Sequence, residues 1–281
     1  MQIDLFYKTY EGDYQFLEHS LKSVKRYAQG FRNIVIVTDH GHLDALRDMV
    51  EPLKLPSLKI FELDRELDIY APNKLPRPLR KLQRSFLKAI GSSRRIIKQE
   101  KFGYEIQKAV KCDWLQWSDA DAALQIDSDM ILTAPLEANQ LFKGNDPVWL
   151  RLPWSTCNKK QIKYWQRGSL WFYGLAESQY CYMSSPGFFL TRELTEQFQD
   201  FVATKHRCSL YRLFSNPRFP ELSEYELLGL FAEINQLNMP YHFEDETNAE
   251  SAGLRLPMKQ FWSWGGMTDE VKSELAKLEQ L

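Results

Sequence analysis

The stretch that decides the fold is AALQIDSDMILTAP, residues 122–135. An apolar run ending at Ile126 leads directly into Asp127, Ser128 and Asp129, and a second apolar triplet follows. A short apolar run bounded by turn-forming residues is typical of a strand covered on both faces, and such strands belong mostly to parallel sheets between helices. Because ligands of open α/β sheets bind at the carboxyl ends of the strands, we expect the two acids to lie at a ligand-binding edge.

The two acids Asp127 and Asp129 predict a metal site. Carboxylate oxygens suit hard cations such as Mn²⁺ or Mg²⁺, which commonly bridge protein carboxylates to substrate phosphates. An unpaired charge inside an apolar strand is also costly, which favours a partner of opposite charge. The alternative is that the segment is only a turn, because Asp and Ser side chains bond to their own backbone. A second copy of the pattern, Asp119 and Asp121, lies in a Ser/Ala loop, and there the turn is the favoured interpretation.

Composition describes an ordinary globular chain. Its 281 residues carry a formal net charge of -1 and are 44% hydrophobic, which fits a large α/β domain with a substantial core. The four cysteines are far apart and form no CxxC pair, so free thiols in a reducing cytoplasm are expected. The amino terminus has no long apolar run, so we expect neither a signal peptide nor a transmembrane helix.

Alternating strand and helix patterns open the chain. Strands are predicted at residues 3–7, 34–37 and 58–63, and helices after the cap candidate Asp13 and at residues 43–50. This alternation is the beginning of a doubly wound sheet. The strand-end residues that would then share the ligand edge, where a nucleotide base and ribose are usually held, are Tyr7, Lys8, Thr38 and Asp39. Each of them alone could also be an ordinary polar residue at a strand end.

A basic segment spans residues 77–111. It holds eleven Lys and Arg residues against two acids, in a chain that is nearly neutral overall. Such segregated charge can hold a nucleotide diphosphate, a nucleic acid or an acidic lipid surface. A solvated pair of basic helices explains it equally well.

Two later motifs carry further candidates. Ser223 and Glu226 fit a capping box at the start of an apolar helix, whereas Glu224 in the same first turn could be a general base or could interact with the helix dipole. His242 lies between aromatic residues at a predicted strand end and could complete a metal site, although a lone His is more often structural.

The order of these features resembles a GT-A fold glycosyltransferase, in a little-characterised bacterial and phage group of nucleotide-sugar transferases. The motifs that carry the resemblance are YKTY at 7–10, IVIVTD at 34–39, GYEIQK at 103–108, DSD at 127–129, SPGFFLTREL at 185–194, SEYE at 223–226, YHFED at 241–245 and FWSWGG at 261–266. The resemblance implies a Rossmann-like α/β fold with a mostly parallel central sheet flanked by helices. It also implies a single domain whose residues 1–135 bind the nucleotide sugar and whose residues 136–281 bind the acceptor.

The resemblance further implies roles for individual residues. Asp127 and Asp129 would carry a Mn²⁺ or Mg²⁺ ion with His242 as a third ligand, and Glu224 would be the base of an inverting enzyme, whereas a retaining one needs none. The catalytic candidates are thus Glu224 and Glu226, and the donor-binding candidates are Tyr7, Lys8, Thr38, Asp39, Lys81, Arg84, Gln107, Lys108, Asp127 and Ser128.

The sequence therefore predicts a metal-dependent glycosyltransferase that moves a sugar, favoured to come from a UDP donor, to an acceptor hydroxyl on a glycan. Transfer to a modified base in DNA stays open through the basic segment 77–111. A non-catalytic module that binds a nucleotide or another polyanion is the other alternative.

Overall fold

The computed structural model describes residues 1–70, 74–89, 99–157, 165–183, 187–237, 239–251 and 253–280. The strands are β1 Ile3–Lys8, β2 Ala28–Gln29, β3 Ile34–Thr38, β4 Leu58–Glu62, β5 Ala122–Ile126, β6 Met130–Leu132, β7 Leu136–Glu137, β8 Phe142–Lys143, β9 Asp146–Pro153, β10 Tyr180–Cys181, β11 Phe188–Thr191, β12 His242–Asp245 and β13 Met258–Gln260. The helices are α1 Tyr14–Tyr27, α2 Leu43–Val50, α3 Arg77–Ala89, α4 Gln99–Cys112, α5 Arg167–Tyr173, α6 Arg192–Phe201, α7 Leu210–Ser215, α8 Glu224–Ile234, α9 Glu246–Ala249 and α10 Asp269–Gln280.

The central sheet has the strand order β11-β5-β1-β3-β4. Strands β5, β1, β3 and β4 are parallel to their neighbours, and β11 pairs antiparallel to β5 at one edge. The predicted α/β class with a mostly parallel central sheet is thus confirmed. The antiparallel edge strand comes from residues 188–191, so the second half of the chain completes the sheet that the first half begins.

Helices cover both faces of this sheet because its strands alternate apolar residues to both sides. In β1, Leu5 and Tyr7 lie in the same core as Leu17 of α1. Phe6, between them, lies in a second core with Ile106 of α4. Full burial of a side chain of this size stabilises the fold by about 1.5–3 kcal/mol, so a strand apolar on both faces is held only where helices pack on each side.

The strand order defines where a ligand site is expected. From β1 the chain moves to β3 and β4 on one side, and later returns to place β5 on the other side. The parallel strands end at the same edge, and the order reverses between β1 and β5. A crevice forms at such a switch point because the adjoining connections leave in opposite directions. The loop after β5 is the acid segment of residues 127–129.

Smaller strand pairs attach the rest of the described chain. Strands β10, β9 and β12 form a second sheet, and β8 pairs with β9. Strand β13 pairs antiparallel to β6, with Gln260 opposite Met130, which brings the carboxyl-terminal part of the chain against the acid segment. No helix in the described ranges combines the length and the apolar character needed to cross a bilayer.

Candidate functional site

The acid segment joins the ends of the two strands that flank the switch point. Ser128 is buried, and its hydroxyl donates to Thr9 Oγ1 at 3.0 Å. Thr9 directly follows β1, so this bond ties the loop after β5 to the loop after β1. The predicted donor contact Ser128 is therefore engaged within the protein, where it holds Asp127 and Asp129 at the crevice.

Asp129 is held by the carboxyl-terminal segment. Its Oδ2 accepts from the backbone N–H of Ser263 at 2.7 Å, and its Oδ1 accepts from Gln260 Nε2 at 3.3 Å. The side chain is 6% exposed. Burial, and next the charge of Asp127, raise the pKa of Asp129 above its ordinary value. The negative charge at this point is thus only partly balanced by its neighbours.

Asp13 provides a third carboxylate that interacts with those of the acid segment. It is the N-cap residue of α1, as predicted, but its side chain forms no capping hydrogen bond among the described contacts. It accepts instead from the side chains of Ser263 and Tyr10. Burial, followed by repulsion from Asp129 and Asp127, raises its pKa to about 6. The turn before α1 thereby contributes to the acidity of the crevice.

A buried lysine balances part of this charge. Lys111 Nζ lies 2.5 Å from Asp127 Oδ1 and 3.2 Å from Glu224 Oε1, and its side chain is 3% exposed. Gln107, one turn earlier on α4, donates to the same Asp127 oxygen at 3.2 Å. Burial alone would lower the pKa of Lys111, but the charges of Asp127 and Glu224 hold it well above its usual value. Lys111 is the centre of the polar network.

This role of Lys111 was not predicted from the sequence. There, Lys111 was only one of the charges of the basic segment. A signal was present, because Lys111 stands between the apolar residues Val110 and Cys112. It also lies four residues after Gln107, which places both on one helix face. A cation at an apolar position of a helix predicts a buried partner of opposite charge.

Glu224 has a structural partner. It begins α8, is 3% exposed and shares Lys111 with Asp127. The structure therefore brings the base candidate into the same network as the acid segment, but in a buried ion pair. Its proposed role as a base stays a prediction.

Glu226 is directed away from the capping box. Ser223 Oγ accepts from the backbone N–H of Glu226 at 3.5 Å, which is half of the expected motif. The carboxylate of Glu226 instead accepts from the backbone N–H groups of Tyr182 at 3.0 Å and Met183 at 3.2 Å, and is 1% exposed. Burial raises its pKa to about 7. These contacts describe a residue that holds the 181–183 segment, and they give no support to a catalytic role.

Two of the predicted nucleotide contacts are core residues. Tyr7 is fully buried, with its hydroxyl 2.9 Å from Ser20 Oγ of α1. Thr38 is equally buried, with its Oγ1 2.9 Å from the hydroxyl of Tyr14. The expectation that they face a nucleotide is corrected, because the hydroxyls of both residues contact side chains of α1 in the interior.

The other strand-end candidates form an ion pair at the edge. Lys8 Nζ lies 2.5 Å from Asp39 Oδ1. Lys8 is 3% exposed in its side chain, whereas Asp39 is 40% exposed. Burial lowers the pKa of Lys8, opposed by the charge of Asp39. Asp39 is thus the accessible member of this pair.

The basic segment does not form one exposed face. Lys108 is 1% exposed and donates to the backbone carbonyl of Leu222 at 2.8 Å, next to Glu105 at 3.3 Å. This contact corrects the expectation that Lys108 reaches a phosphate. Lys81 is exposed on α3. The side chain of Arg84 and all of residues 90–98 lie outside the described part of the chain.

His242 is not brought to the aspartates. Its Nε2 lies 3.0 Å from Lys143 Nζ and 3.3 Å from Glu244 Oε2. Within the described ranges, no three His, Cys, Asp or Glu side chains form a group that could hold a metal ion. A three-residue site made of Asp127, Asp129 and His242 is therefore not formed in this structure.

The upstream acid pair lies at the amino end of β5, whereas the acid segment lies at its carboxyl end. Asp119 is 81% exposed and accepts from Arg32 at 2.7 Å. Asp121 accepts from the backbone N–H of Gln2 at 2.6 Å. Their contacts are those of loop residues, in agreement with the favoured interpretation of this copy.

The downstream pair fits a cation that is shared with a substrate. Mg²⁺ in phosphate-binding sites is usually held by one or two carboxylates together with substrate phosphates, without a cage of protein ligands. Asp127 and Asp129 supply two such carboxylates, and the charge of Asp127 contributes to the raised pKa of Asp129, which indicates uncompensated negative charge. The chemistry of this donor set therefore suits Mn²⁺ or Mg²⁺ bound with a diphosphate.

Comparison with known proteins adds one positive finding. A protein-family model described as a family of unknown function, DUF6492, matches residues 2–272. Comparison with curated proteins found no match.

Proposed function

We propose that this chain, which belongs to the DUF6492 family of unknown function, is a glycosyltransferase that takes its sugar from a nucleotide diphosphate donor. The observation that carries the proposal is the position of Asp127 and Asp129, in the loop that leaves β5 at the switch point of the central sheet. Ligands of such sheets bind at this point, and paired carboxylates there are suited to a cation that carries a diphosphate.

Further support comes from the rest of this edge. The half-exposed carboxylate of Asp39 follows β3, where an acid can accept hydrogen bonds from ribose hydroxyls. The order of motifs along the chain resembles GT-A enzymes, and the acid segment after β5 agrees with that order. The GT-A architecture and a UDP-type donor are part of the proposal.

The residues of the site would have separate roles. Asp127 and Asp129 would hold a Mn²⁺ or Mg²⁺ ion, which would neutralise charge on the departing nucleoside diphosphate. Lys111 and Gln107 fix the Asp127 carboxylate by direct bonds. Ser128 positions the loop through Thr9.

The acceptor is proposed to be a glycan hydroxyl. Both glutamates at the start of α8 are buried, Glu224 at 3% and Glu226 at 1% exposure, and Glu224 is paired with Lys111. This arrangement favours a retaining transfer, which needs no carboxylate base. The DNA alternative is weakened because Lys108 and Lys111 are engaged in buried contacts and unavailable to phosphates.

The test is thermal unfolding with UDP, GDP, CDP and their sugar conjugates, each with and without Mn²⁺. A ligand at one hundred times its Kd stabilises the folded state by about 2.7 kcal/mol, which raises the midpoint of a chain of this size by about 5 °C. We expect a Mn²⁺-dependent rise with the UDP family.

The chain contains its own matched control. Asp127→Asn/Asp129→Asn should abolish the rise, whereas Asp119→Asn/Asp121→Asn, in the other copy of the same pattern, should keep it. A midpoint that no nucleotide shifts would overturn the proposal. Binding of UDP-sugars without release of UDP in the presence of glycan acceptors would instead identify a non-catalytic module.

A further inference from the structure

Helix α3, Arg77–Ala89, has an unusual distribution of charge and exposure. Its sequence RPLRKLQRSFLKA contains five basic residues and no acid. The apolar residues Leu79, Leu82 and Phe86 are 49%, 68% and 62% exposed. An amphipathic helix on a globular protein normally turns its apolar stripe to the core. In α3 this stripe faces solvent.

The helix places its exposed apolar residues and its basic residues on different sides. With 3.6 residues per turn, Leu79, Leu82 and Phe86 fall within about 60° of one another around the helix axis. The positions of the basic residues fall in the opposite half of the circumference, and these residues are Arg77, Arg80, Lys81, Arg84 and Lys88. The exposed apolar residues and the basic positions thus lie on opposite sides of the helix.

We propose that α3 is an interfacial helix that binds the surface of a lipid bilayer containing anionic lipids. A strongly basic polar face with Leu and Phe on the other face is the composition of helices that lie in the plane of a membrane surface. Anionic headgroups complement the five basic positions of this helix, while the apolar stripe would enter the acyl boundary.

Other occupants account for only part of this surface. A nucleic acid would pair with the cations but leave Leu79, Leu82 and Phe86 in water. A second copy of the chain would cover the stripe but bring together two helices with five positive charges each, which repel each other. The bilayer surface satisfies both faces at once.

The experiment is co-sedimentation of the full chain with vesicles of phosphatidylcholine alone and of phosphatidylcholine with about one third phosphatidylserine. We expect binding to the anionic vesicles and a decrease with added salt, since screening weakens the charge contribution. Leu82→Glu/Phe86→Glu should lower the partition coefficient by about tenfold or more, because the apolar stripe supplies the insertion. Leu237→Glu is the matched control, because Leu237 is 102% exposed and lies outside α3, and it should bind like the wild type.

Three results would overturn the proposal. One is equal vesicle binding by the wild type and Leu82→Glu/Phe86→Glu. Another is binding to duplex DNA without binding to anionic vesicles. The third is a wild-type dimer in light scattering that Leu82→Glu/Phe86→Glu converts to a monomer without any vesicle binding by the wild type. Circular dichroism of each variant establishes that it is folded. The donor-induced rise in unfolding midpoint is measured separately, so failure here leaves the proposed enzymatic function untouched.

Discussion

Lys111→Met tests whether the buried lysine stabilises the fold by neutralising the carboxylates of Asp127 and Glu224. Methionine keeps an unbranched apolar side chain, but it lacks the Nζ group that lies 5.3 Å from the centroid of the Tyr225 ring. The substitution removes the positive charge that Asp127 and Glu224 share, together with the Nζ contacts to both carboxylates. Two carboxylates, one of them with a side chain only 4% exposed, are then left facing each other without a cation.

The expected loss of stability is large. Removing one partner of a buried ion pair costs about 3–5 kcal/mol, because the remaining charge is buried without compensation. At about 2 °C per kcal/mol for a chain of this size, the unfolding midpoint should fall by about 6–10 °C. Urea denaturation at pH 8 gives the free energy of unfolding directly.

The loss must also depend on pH in a defined direction. Two buried carboxyl groups left close together without a cation are disfavoured when both are charged, by burial and by mutual repulsion. A buried carboxyl group that is disfavoured only in its charged form does not destabilise the fold when it is protonated. It destabilises the fold increasingly as the pH rises and the group ionises. The destabilisation should therefore be smaller at pH 5 than at pH 8.

A second variant isolates the cause. Lys111→Met/Glu224→Gln removes the more deeply buried of the two stranded charges and should recover a substantial part of the loss at pH 8. A Lys111→Met protein less than about 1 kcal/mol below the wild type, or one whose loss is the same at both pH values, would refute this reasoning.

Four further perturbations follow from the same structure. Asp13→Asn should stabilise the protein by about 1–2 kcal/mol at pH 7.5 and hardly at pH 4, because the raised pKa of Asp13 makes its charged form costly; urea titrations at both pH values measure this. The pKa of Glu226 is raised to about 7. Between pH 4 and pH 8 the free energy of unfolding of the wild type should therefore fall by about 3 kcal/mol relative to that of Glu226→Gln. Equal pH profiles of the two proteins would contradict this prediction. Gly229→Ala should destabilise by about 1–3 kcal/mol in thermal unfolding because the new methyl group meets the Tyr182 side chain. Gly103→Ala, where the described structure has no heavy atom within 4 Å of the new carbon, should stabilise α4 by about 0.5–1 kcal/mol.

The central sheet could be predicted because its strands are short apolar runs separated by helix periods. Residues 34–37 and 122–126 needed no tertiary information to be assigned, since β-branched and apolar runs of this length are typical of buried strands. The direction of β11 could not be predicted. The three apolar residues and Thr191 of this strand fit a parallel or an antiparallel pairing equally well, and only the path of the chain into β11 decides its direction.

The acid segment was predictable for a different reason than its surroundings. Asp127 and Asp129 interrupt an apolar sequence, so the free-energy cost of burying their charges can be recognised from the sequence alone. Tyr7 and Thr38 were misassigned because their hydroxyls are satisfied by Ser20 and Tyr14 of α1. Such pairings join residues that are distant in the sequence, and no local pattern specifies them.

The long separations across the acid site have a consequence for how the protein is made. The bond from Ser263 to Asp129 spans 134 positions and the pair of Lys111 with Glu224 spans 113. Closing such loops is slow, because chain entropy is lost before the contact is gained. A nascent chain that has exposed β5 but not yet residues 224–263 has Asp129 without Gln260 and Ser263, and Lys111 without Glu224. The polar network around this crevice is therefore completed late in folding, after its two ends have been brought together.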